Sequence, residues 1–196
     1  MKKTVFLLLF LIWAALPLAA QPSVEFVDAG NPVRFDNTEF YFLWSSHPYD
    51  HFYIQEYFPR EEISMEHFTR MLSLHLNLSD VTPQQAAQMK VDELANRKLY
   101  DPCCSYQVFE NESTGEFIIA FVVSSFNEQG ILTVMEANVY RYTRAVVGGR
   151  NAMALWFYSR RAYEKEVKAF IEDIDNSFEH WVTAMTDMEM PQLRFK

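Results

Sequence analysis

The sequence predicts an α+β fold in which an antiparallel β-sheet is covered by packed helices, and three observations favour this class. Residues 117–123, 131–142 and 150–161 are successive runs rich in β-branched and aromatic side chains, separated by turn-forming residues. A strong helix-start signal lies at Thr82, and an amphipathic stretch of about five turns follows Arg161. Strands joined by short turns pair antiparallel, which predicts the sheet type.

The first twenty residues have the pattern of a secretory signal peptide. Two lysines precede an apolar run over residues 5–16, and small residues end the segment at Ala20. The apolar run is too short to cross a hydrocarbon layer of ~30 Å as a stable helix. We therefore expect cleavage after Ala20, a single α+β domain over residues 21–196, and a periplasmic or secreted location.

The charge balance narrows the class of partner. The formal net charge is −9, and removal of the two lysines of the signal segment would make the chain more acidic still. Binding to nucleic acid or to anionic lipid requires a basic surface that neutralises phosphates. We therefore expect no nucleic-acid partner and no membrane insertion after signal removal, and we expect the partner to be another protein.

The first third of the domain mixes short strands with a predicted helix. Residues 24–27, 40–43 and 53–58 are β-prone runs between turn-forming residues, and they predict one or two edge strands and their turns. Residues 64–76 are predicted to be a helix, because Ser64 offers an N-cap and the apolar residues that follow have helical spacing. Those residues are Phe68, Met71, Leu72 and His75.

A second helix and a further strand pair precede the central strands. Thr82 followed by Pro83 and by Gln85 combines an N-cap, a first-turn proline and a capping box, so a helix is predicted over residues 82–98. Residues 106–111 form another strand pattern, which a polar turn joins to the strand at residue 117. The sheet is thus predicted to contain four antiparallel strands.

Two turns set the predicted register of the central strands. Gly148-Gly149 suits a two-residue hairpin turn, which pairs Val147 with Arg150. The polar loop of residues 127–130 is predicted to pair Phe126 with Ile131. Opposed residues share a face, so one face is predicted to be almost entirely hydrocarbon. Its members are Ile118, Ala120, Val122, Met135, Ala137 and Val139. The stripe of the final helix is predicted to cover this face.

The opposite face carries the candidate polar site, which consists of Glu136, Asn138, Ser159 and Arg161. Residues opposed across the three strands are predicted to form rows. One row contains Phe121, Glu136 and Arg161, and the next contains Ile119, Asn138 and Ser159. A cross-strand ion pair between Glu136 and Arg161 would contribute about 0.2–1 kcal/mol and need have no role beyond stability. A catalytic interpretation requires these groups to converge in a pocket.

Two further features are candidates for function. Cys103 and Cys104 are adjacent, and their α-carbons lie only ~3.8 Å apart, so they form either a strained vicinal disulfide or buried thiols. Six aromatic residues precede the predicted helix at residue 64 and are a candidate interaction surface, with core or sheet-edge packing as the alternative. They are Phe40, Phe42, Trp44, Tyr49, Phe52 and Tyr53.

Motifs for catalysis, cofactors and metals are missing from the sequence. It contains no HExxH, no GxSxG and no glycine-rich nucleotide loop. His47 and His51 lie four residues apart, but Pro48 between them argues against a helix, so the spacing loses its meaning for metal binding. We predict no cofactor, no metal and no enzymatic activity.

Two segments carry a resemblance to a known group. Residues 56–71 and the segment from Trp156 to Arg161 before the final helix are similar to parts of small exported bacterial proteins of unassigned function. In architecture the chain resembles the Mog1/PsbP-like group, whose antiparallel sheet is sandwiched by helices. That resemblance implies a role in binding or assembly and assigns no role to any residue.

Helix-grip, START-like ligand-binding domains have the same order of elements and remain an alternative, with an apolar cavity between the sheet and the last helix.

The sequence leaves three functional hypotheses open. The first is an exported, non-enzymatic binding protein, the second is a carrier of a small apolar ligand, and the third is a hydrolase or redox enzyme at Glu136 and Arg161 or at the cysteines.

Overall fold

One curled eight-stranded antiparallel sheet dominates the structure, a computed structural model that describes residues 23–62 and 67–196. The predicted signal segment therefore lies outside the described residues. The elements are β1 (Val27–Asp28), β2 (Val33–Phe35), β3 (Thr38–Tyr49), β4 (Phe52–Phe58), β5 (Arg70–Asn77), α1 (Pro83–Arg97), β6 (Ser105–Asn111), β7 (Glu116–Phe126), β8 (Leu132–Val147), β9 (Arg150–Tyr163), α2 (Val167–Asp187) and β10 (Arg194–Phe195). A single 3₁₀ turn, Glu164–Glu166, leads into α2.

The spatial order of the large sheet is β2-β3-β4-β5-β9-β8-β7-β6, and β1 pairs separately with β10. Every strand pair is antiparallel, which confirms the predicted sheet type and the broad α+β class. Within the described residues, no helix is long and apolar enough to span a membrane.

The helix predicted over residues 64–76 is wrong. Residues 63–66 lie outside the described residues, and the rest of the predicted helix contains β5, which lies between β4 and β9. Both faces of this central strand are covered, so consecutive positions such as Met71 and Leu72 are buried on opposite sides. A strand that is apolar at odd and even positions also contains helical spacings, and this misled the pattern analysis.

The helix predicted at Thr82 is confirmed as α1. The Thr82 hydroxyl accepts a hydrogen bond from the Gln85 backbone N–H at 3.1 Å, and the Gln85 side chain accepts one from the Thr82 N–H at 2.9 Å. Both halves of the capping box are therefore present, with Pro83 at the first helical position.

The glycine pair sets the β8–β9 register as predicted. Gly148 and Gly149 both have positive φ, +57° and +74°, as a type I′ turn requires, and Val147 lies opposite Arg150. The pairing then continues without a break to Val134 and Tyr163. This hairpin is the longest paired segment in the sheet.

The predicted β7–β8 register is displaced by two residues. Phe126 pairs with Leu132 rather than Ile131, and Thr133 forms a bulge, so that Val123 and not Phe121 lies opposite Glu136. The loop closes through the Asn127 N–H, which donates to the Ile131 carbonyl at 2.9 Å. A shift of two residues preserves the side-chain alternation, so every predicted face assignment in β7 and β8 still holds.

Two cores lie on the two faces of the sheet. The α2-side core contains the predicted hydrocarbon face together with the buried stripe of α2, and it extends to the N-terminal strands. Among its members are Val139, Trp156, Ile174, Trp181 and Met185. The α1-side core is smaller and contains Phe58, Leu94, Ile119, Phe121 and Phe157. The final helix therefore covers the face predicted for it.

Candidate functional site

The four predicted polar residues come together on the α1 side of the sheet. Glu136 lies opposite Arg161 and Asn138 opposite Ser159 in the β8–β9 ladder. The Asn138 amide donates to Glu136 Oε1 at 2.9 Å, the Ser159 hydroxyl donates to Asn138 Oδ1, and Arg161 Nε donates to Glu136 Oε2 at 2.5 Å. The two neighbouring rows are thus joined into one hydrogen-bonded network.

The uncharged part of this network is buried, whereas the side chains of Arg161 and Glu136 are 28% and 18% exposed. Asn138 and Ser159 are buried, and the Arg161 guanidinium lies 4.2 Å from the centre of the Phe68 ring. Burial alone would lower the pKa of Arg161, but the Glu136 carboxylate and the Tyr163 hydroxyl raise it above its ordinary value. The ion pair is fixed and charged, and the hydroxyl and amide beside it are already engaged with one another.

A row of contacting rings, most of them packed edge to face, crosses the same face from β4 to β7. Consecutive ring centroids are 5.7, 5.1, 4.4 and 4.8 Å apart, within the range of favourable aromatic contacts. In order, the rings belong to Phe52, His75, Phe157, Tyr140 and Phe121. The row extends from the side of the polar network, on β8 and β9, to β5 and β4.

Helix α1 covers one end of this row. It packs against β7 and β8, and the Lys90 ammonium lies 5.3 Å from the ring centres of both Phe121 and Tyr140. At the other end, five side chains of β3, β4 and β5 on this face are only partly buried. We call this part of the sheet the open face, and it consists of Trp44, Phe52, Ile54, Glu56 and His75.

Glu56 is the charged group of the open face. It lies opposite Trp44 on β3 and opposite Ser73 on β5, and its carboxylate makes no hydrogen bond or ion pair within the described part of the chain. Burial raises its pKa, although the positive charge of Arg161 acts in the opposite direction. Arg161 is already paired with Glu136. The open face therefore holds a carboxylate without a counter-ion of its own.

His75 contributes a neutral ring to the open face. Burial lowers its pKa from 6.5 to about 4, and the positive charge of Lys90 acts in the same direction. Its imidazole packs edge-on against the rings of Phe52 and Phe157. The open face thus combines aromatic and aliphatic surface with one carboxyl group, that of Glu56.

The six predicted interaction aromatics do not form one surface. Phe40, Phe42 and Tyr53 pack in or against the α2-side core, and Tyr49 is exposed beside the β3–β4 turn. Trp44 and Phe52 lie on the open face. A β-bulge between Phe42 and Trp44 reverses the alternation in β3 and turns Trp44 to the face opposite Phe42.

The two cysteines are free thiols in the structure and lie on different sides of the sheet. Cys103 packs against the α2-side core, whereas Cys104 is buried in the α1-side core, and a vicinal disulfide between them remains a prediction. Burial, together with the negative charge of Asp101, raises the pKa of Cys104. This environment disfavours the thiolate that a nucleophile requires.

Sequence analysis missed three residues that organise the site and its surroundings. Asp101 is a buried carboxylate that accepts hydrogen bonds from the Ser124 N–H at 2.7 Å and from Arg97 at 2.9 Å. Gln55 binds the backbone of Val27 on the other face. The third is Glu56, for which a signal existed: it is the only acidic residue in the apolar run Phe52–Phe58.

Several concave regions surround the sheet, and one of them, a groove of about 520 Å³ beside the start of α2, is lined by Arg161 of the polar network. The largest groove described, about 710 Å³, is at the β2–β3 turn and mixes charges of both signs, including Arg34, Glu39 and Arg70. Arg34 and Arg70 are paired there with carboxylates. Over the described residues, no group of three or more His, Cys, Asp or Glu side chains is placed to hold a metal ion.

Comparison with known proteins gives one match. No curated protein and no solved structure matches the chain. A family model matches residues 27–190, from β1 through the end of α2, and that family is uncharacterised. Because these residues make up more than half of the sequence, the chain belongs to this uncharacterised protein family.

Proposed function

We propose that the protein is an exported, non-enzymatic binding protein whose open face binds a basic, partly apolar segment of another protein. The observation that carries this proposal is the carboxylate of Glu56, half-buried beside Trp44 and without a counter-ion of its own. A partly desolvated carboxylate gains more from a cation than one in water does, because the local dielectric is lower. A lysine or arginine side chain of a partner would supply that cation.

The surroundings of Glu56 suit a cationic side chain with an apolar stem. Trp44 offers an aromatic ring directly across the strand pair, and Ile54 and Phe52 add apolar surface along β4. Lysine and arginine place a charged head beyond a hydrocarbon stem, and both interact favourably with aromatic rings. The net charge of −9 would also attract a basic partner over longer distances.

The arrangement of the polar groups supports a non-enzymatic role. Glu136 and Arg161 neutralise one another, while Asn138 and Ser159 are buried and hydrogen-bonded together. Cys104 is a buried thiol with a raised pKa. A catalytic base or nucleophile needs a group that is free to react, and these groups are engaged in holding the sheet.

Packing weighs against the alternative of an apolar-ligand carrier. A helix-grip cavity would lie between the sheet and α2, where Trp156, Trp181 and Met185 are buried in one continuous core. Tyr158 and Trp181 meet there with ring centroids 5.9 Å apart. The Mog1/PsbP-like resemblance fits a binding role and belongs to the proposal. Export rests on the pattern of residues 1–20.

Site-specific photo-crosslinking tests the binding proposal. A photoreactive amino acid at Ile54 should give a discrete crosslinked product with a protein of the native envelope or secreted fraction, and the product should weaken in Glu56→Gln. The matched control places the same amino acid at Ile171, which is exposed on α2 and faces away from the open face. Identical products from both positions, or a product that Glu56→Gln leaves unchanged, would contradict the proposal.

Export is tested separately by sequencing the amino terminus of the protein recovered from its host. A mature chain that begins at Gln21, found outside the cytoplasm, is the expected result. A cytoplasmic chain that still begins at Met1 would remove export from the proposal and leave the binding face to be judged by crosslinking alone.

A further inference from the structure

Strand β6 forms one edge of the large sheet. It comes last in the strand order and, within residues 23–62 and 67–196, pairs only with β7, so the outward groups of its backbone have no strand partner there. Two apolar side chains on it are exposed, Val108 by 44% and Phe109 by 41%. An exposed, apolar edge strand is a template for pairing with another strand.

The usual protections of an edge strand are missing from β6. Its seven residues contain no proline and no lysine, and they pair with β7 in an unbroken register from Ser105 to Asn111. The opposite edge of the sheet differs, because β2 has only three residues and the part of β3 beyond it is interrupted by two register irregularities. Of the two edges, β6 is the one built to accept a full-length partner strand.

Charge is distributed asymmetrically along β6. Glu110 lies near its carboxyl end, opposite Phe117, on the α1 side of the sheet. Near the other end, the Lys98 ammonium lies 5.3 Å from the ring centre of Tyr106 on that same side. The edge is thus negative at one end and positive at the other, which makes it complementary to itself when it runs antiparallel.

We infer that β6 pairs antiparallel with β6 of a second copy of this chain, with Val108 opposite Val108. This register uses the whole strand, because Ser105 then faces Asn111 of the other copy. It also sets each Glu110 opposite the other copy's Tyr106, within reach of the Lys98 beside that ring. A register two residues away in one direction would place Val108 opposite Glu110, and a further step would place the two Glu110 side chains opposite each other.

The net charge of the two copies does not outweigh this local complementarity. Both copies are acidic, but repulsion between exposed charges is screened beyond about 8 Å at physiological ionic strength. Lys98 and Glu110 would meet within that distance at both ends of the paired strands. The open face lies toward β3 and β4, at the other end of the strand order, so dimerisation and partner binding use different surfaces.

Sedimentation of protein expressed from the full sequence tests the inference. Wild-type protein should show a monomer–dimer equilibrium that shifts toward the dimer as concentration rises. Lys98→Glu and Glu110→Lys should each weaken dimerisation by about tenfold, equivalent to 1.4 kcal/mol, and the double variant should restore it. Restoration by a second charge reversal distinguishes a direct contact from a general effect of charge.

Val108→Lys is a second test, since a lysine in the middle of an edge strand opposes pairing; it should leave the protein monomeric. Circular dichroism and thermal unfolding establish that each variant is folded, which is expected because these side chains lie at the surface. A wild-type protein that stays monomeric over about a hundredfold range of concentration would overturn the inference. So would a double variant no better at dimerising than the single ones.

Discussion

His75 should make the protein sensitive to mild acid. Its pKa is lowered from 6.5 to about 4 in the folded state, so between these values the unfolded chain binds a proton that the folded chain does not. Stability that is present above pH 6.5 is therefore lost as the pH falls toward 4. Replacing His75 by phenylalanine keeps the ring contacts with Phe52 and Phe157 and removes the titrating group.

The size of the effect follows from the two pKa values. Proton linkage gives a loss of about 1.4 kcal/mol at pH 5.5 and about 2.5 kcal/mol at pH 4.5, relative to pH 7 and above. These values are a large fraction of the stability of a typical domain. Other groups titrate in the same range, but they are common to wild type and His75→Phe, so the difference between the two proteins isolates His75.

Urea unfolding at pH 7, 5.5 and 4.5, followed by tryptophan fluorescence, measures this difference. The free energy of unfolding of His75→Phe should exceed that of wild type by a margin that grows as the pH falls. Phe157→Leu is the control, because it removes packing next to His75 without changing a titratable group and should cost the same at each pH. If wild type and His75→Phe lose stability in parallel, the imidazole is not buried as described.

Three further predictions concern groups that join distant parts of the chain. Arg141 donates hydrogen bonds to three backbone carbonyls at the end of α2, at 2.7–3.0 Å. Arg141→Met should therefore lower the free energy of unfolding by about 2–4 kcal/mol. It should also remove hydrogen-exchange protection at the end of α2. Burial would raise the pKa of Asp101, but hydrogen bonds from Ser124 and other donors lower it. Asp101→Asn should therefore lower the free energy of unfolding by about 2–3 kcal/mol at pH 7, measured by urea unfolding. The difference in stability between wild type and variant should shrink as the pH falls below 3.8. Gly148→Ala should lower the thermal stability more than Gly115→Ala. Both glycines have positive φ, but only at Gly148 would the new methyl group contact a side chain, the ring of Phe195 at 3.2 Å.

Local signals in the sequence predict the parts of the fold that depend on local geometry. Two adjacent glycines are enough to define a hairpin turn, and the strict alternation of a strand then fixes which face each residue occupies. For this reason the sequence alone predicts that Glu136 lies opposite Arg161, as it does in the structure. The start of α1 could likewise be predicted from Thr82, because its capping box involves only residues close in sequence.

Features that depend on distant parts of the chain could not be predicted in this way. The strand character of β5 is decided by β4 and β9 on either side, and not by its own apolar spacing. Trp44 reaches the open face only because a bulge reverses the alternation of β3, and a bulge leaves no mark in the residue pattern. The bulge at Thr133 likewise leaves no mark in the residue pattern, and it shifts the β7–β8 register without changing the faces.

The unequal covering of the two faces explains why the candidate site lies where it does. On one face the stripe of α2 and the N-terminal strands close a continuous core, which leaves little freedom for a ligand. On the other face α1 packs against β7 and β8, and the open-face side chains of β3–β5 remain only partly buried. A sheet of eight strands is wider than one helix of about 10 Å diameter can cover. The uncovered width holds Glu56, whose missing counter-ion a basic partner can supply.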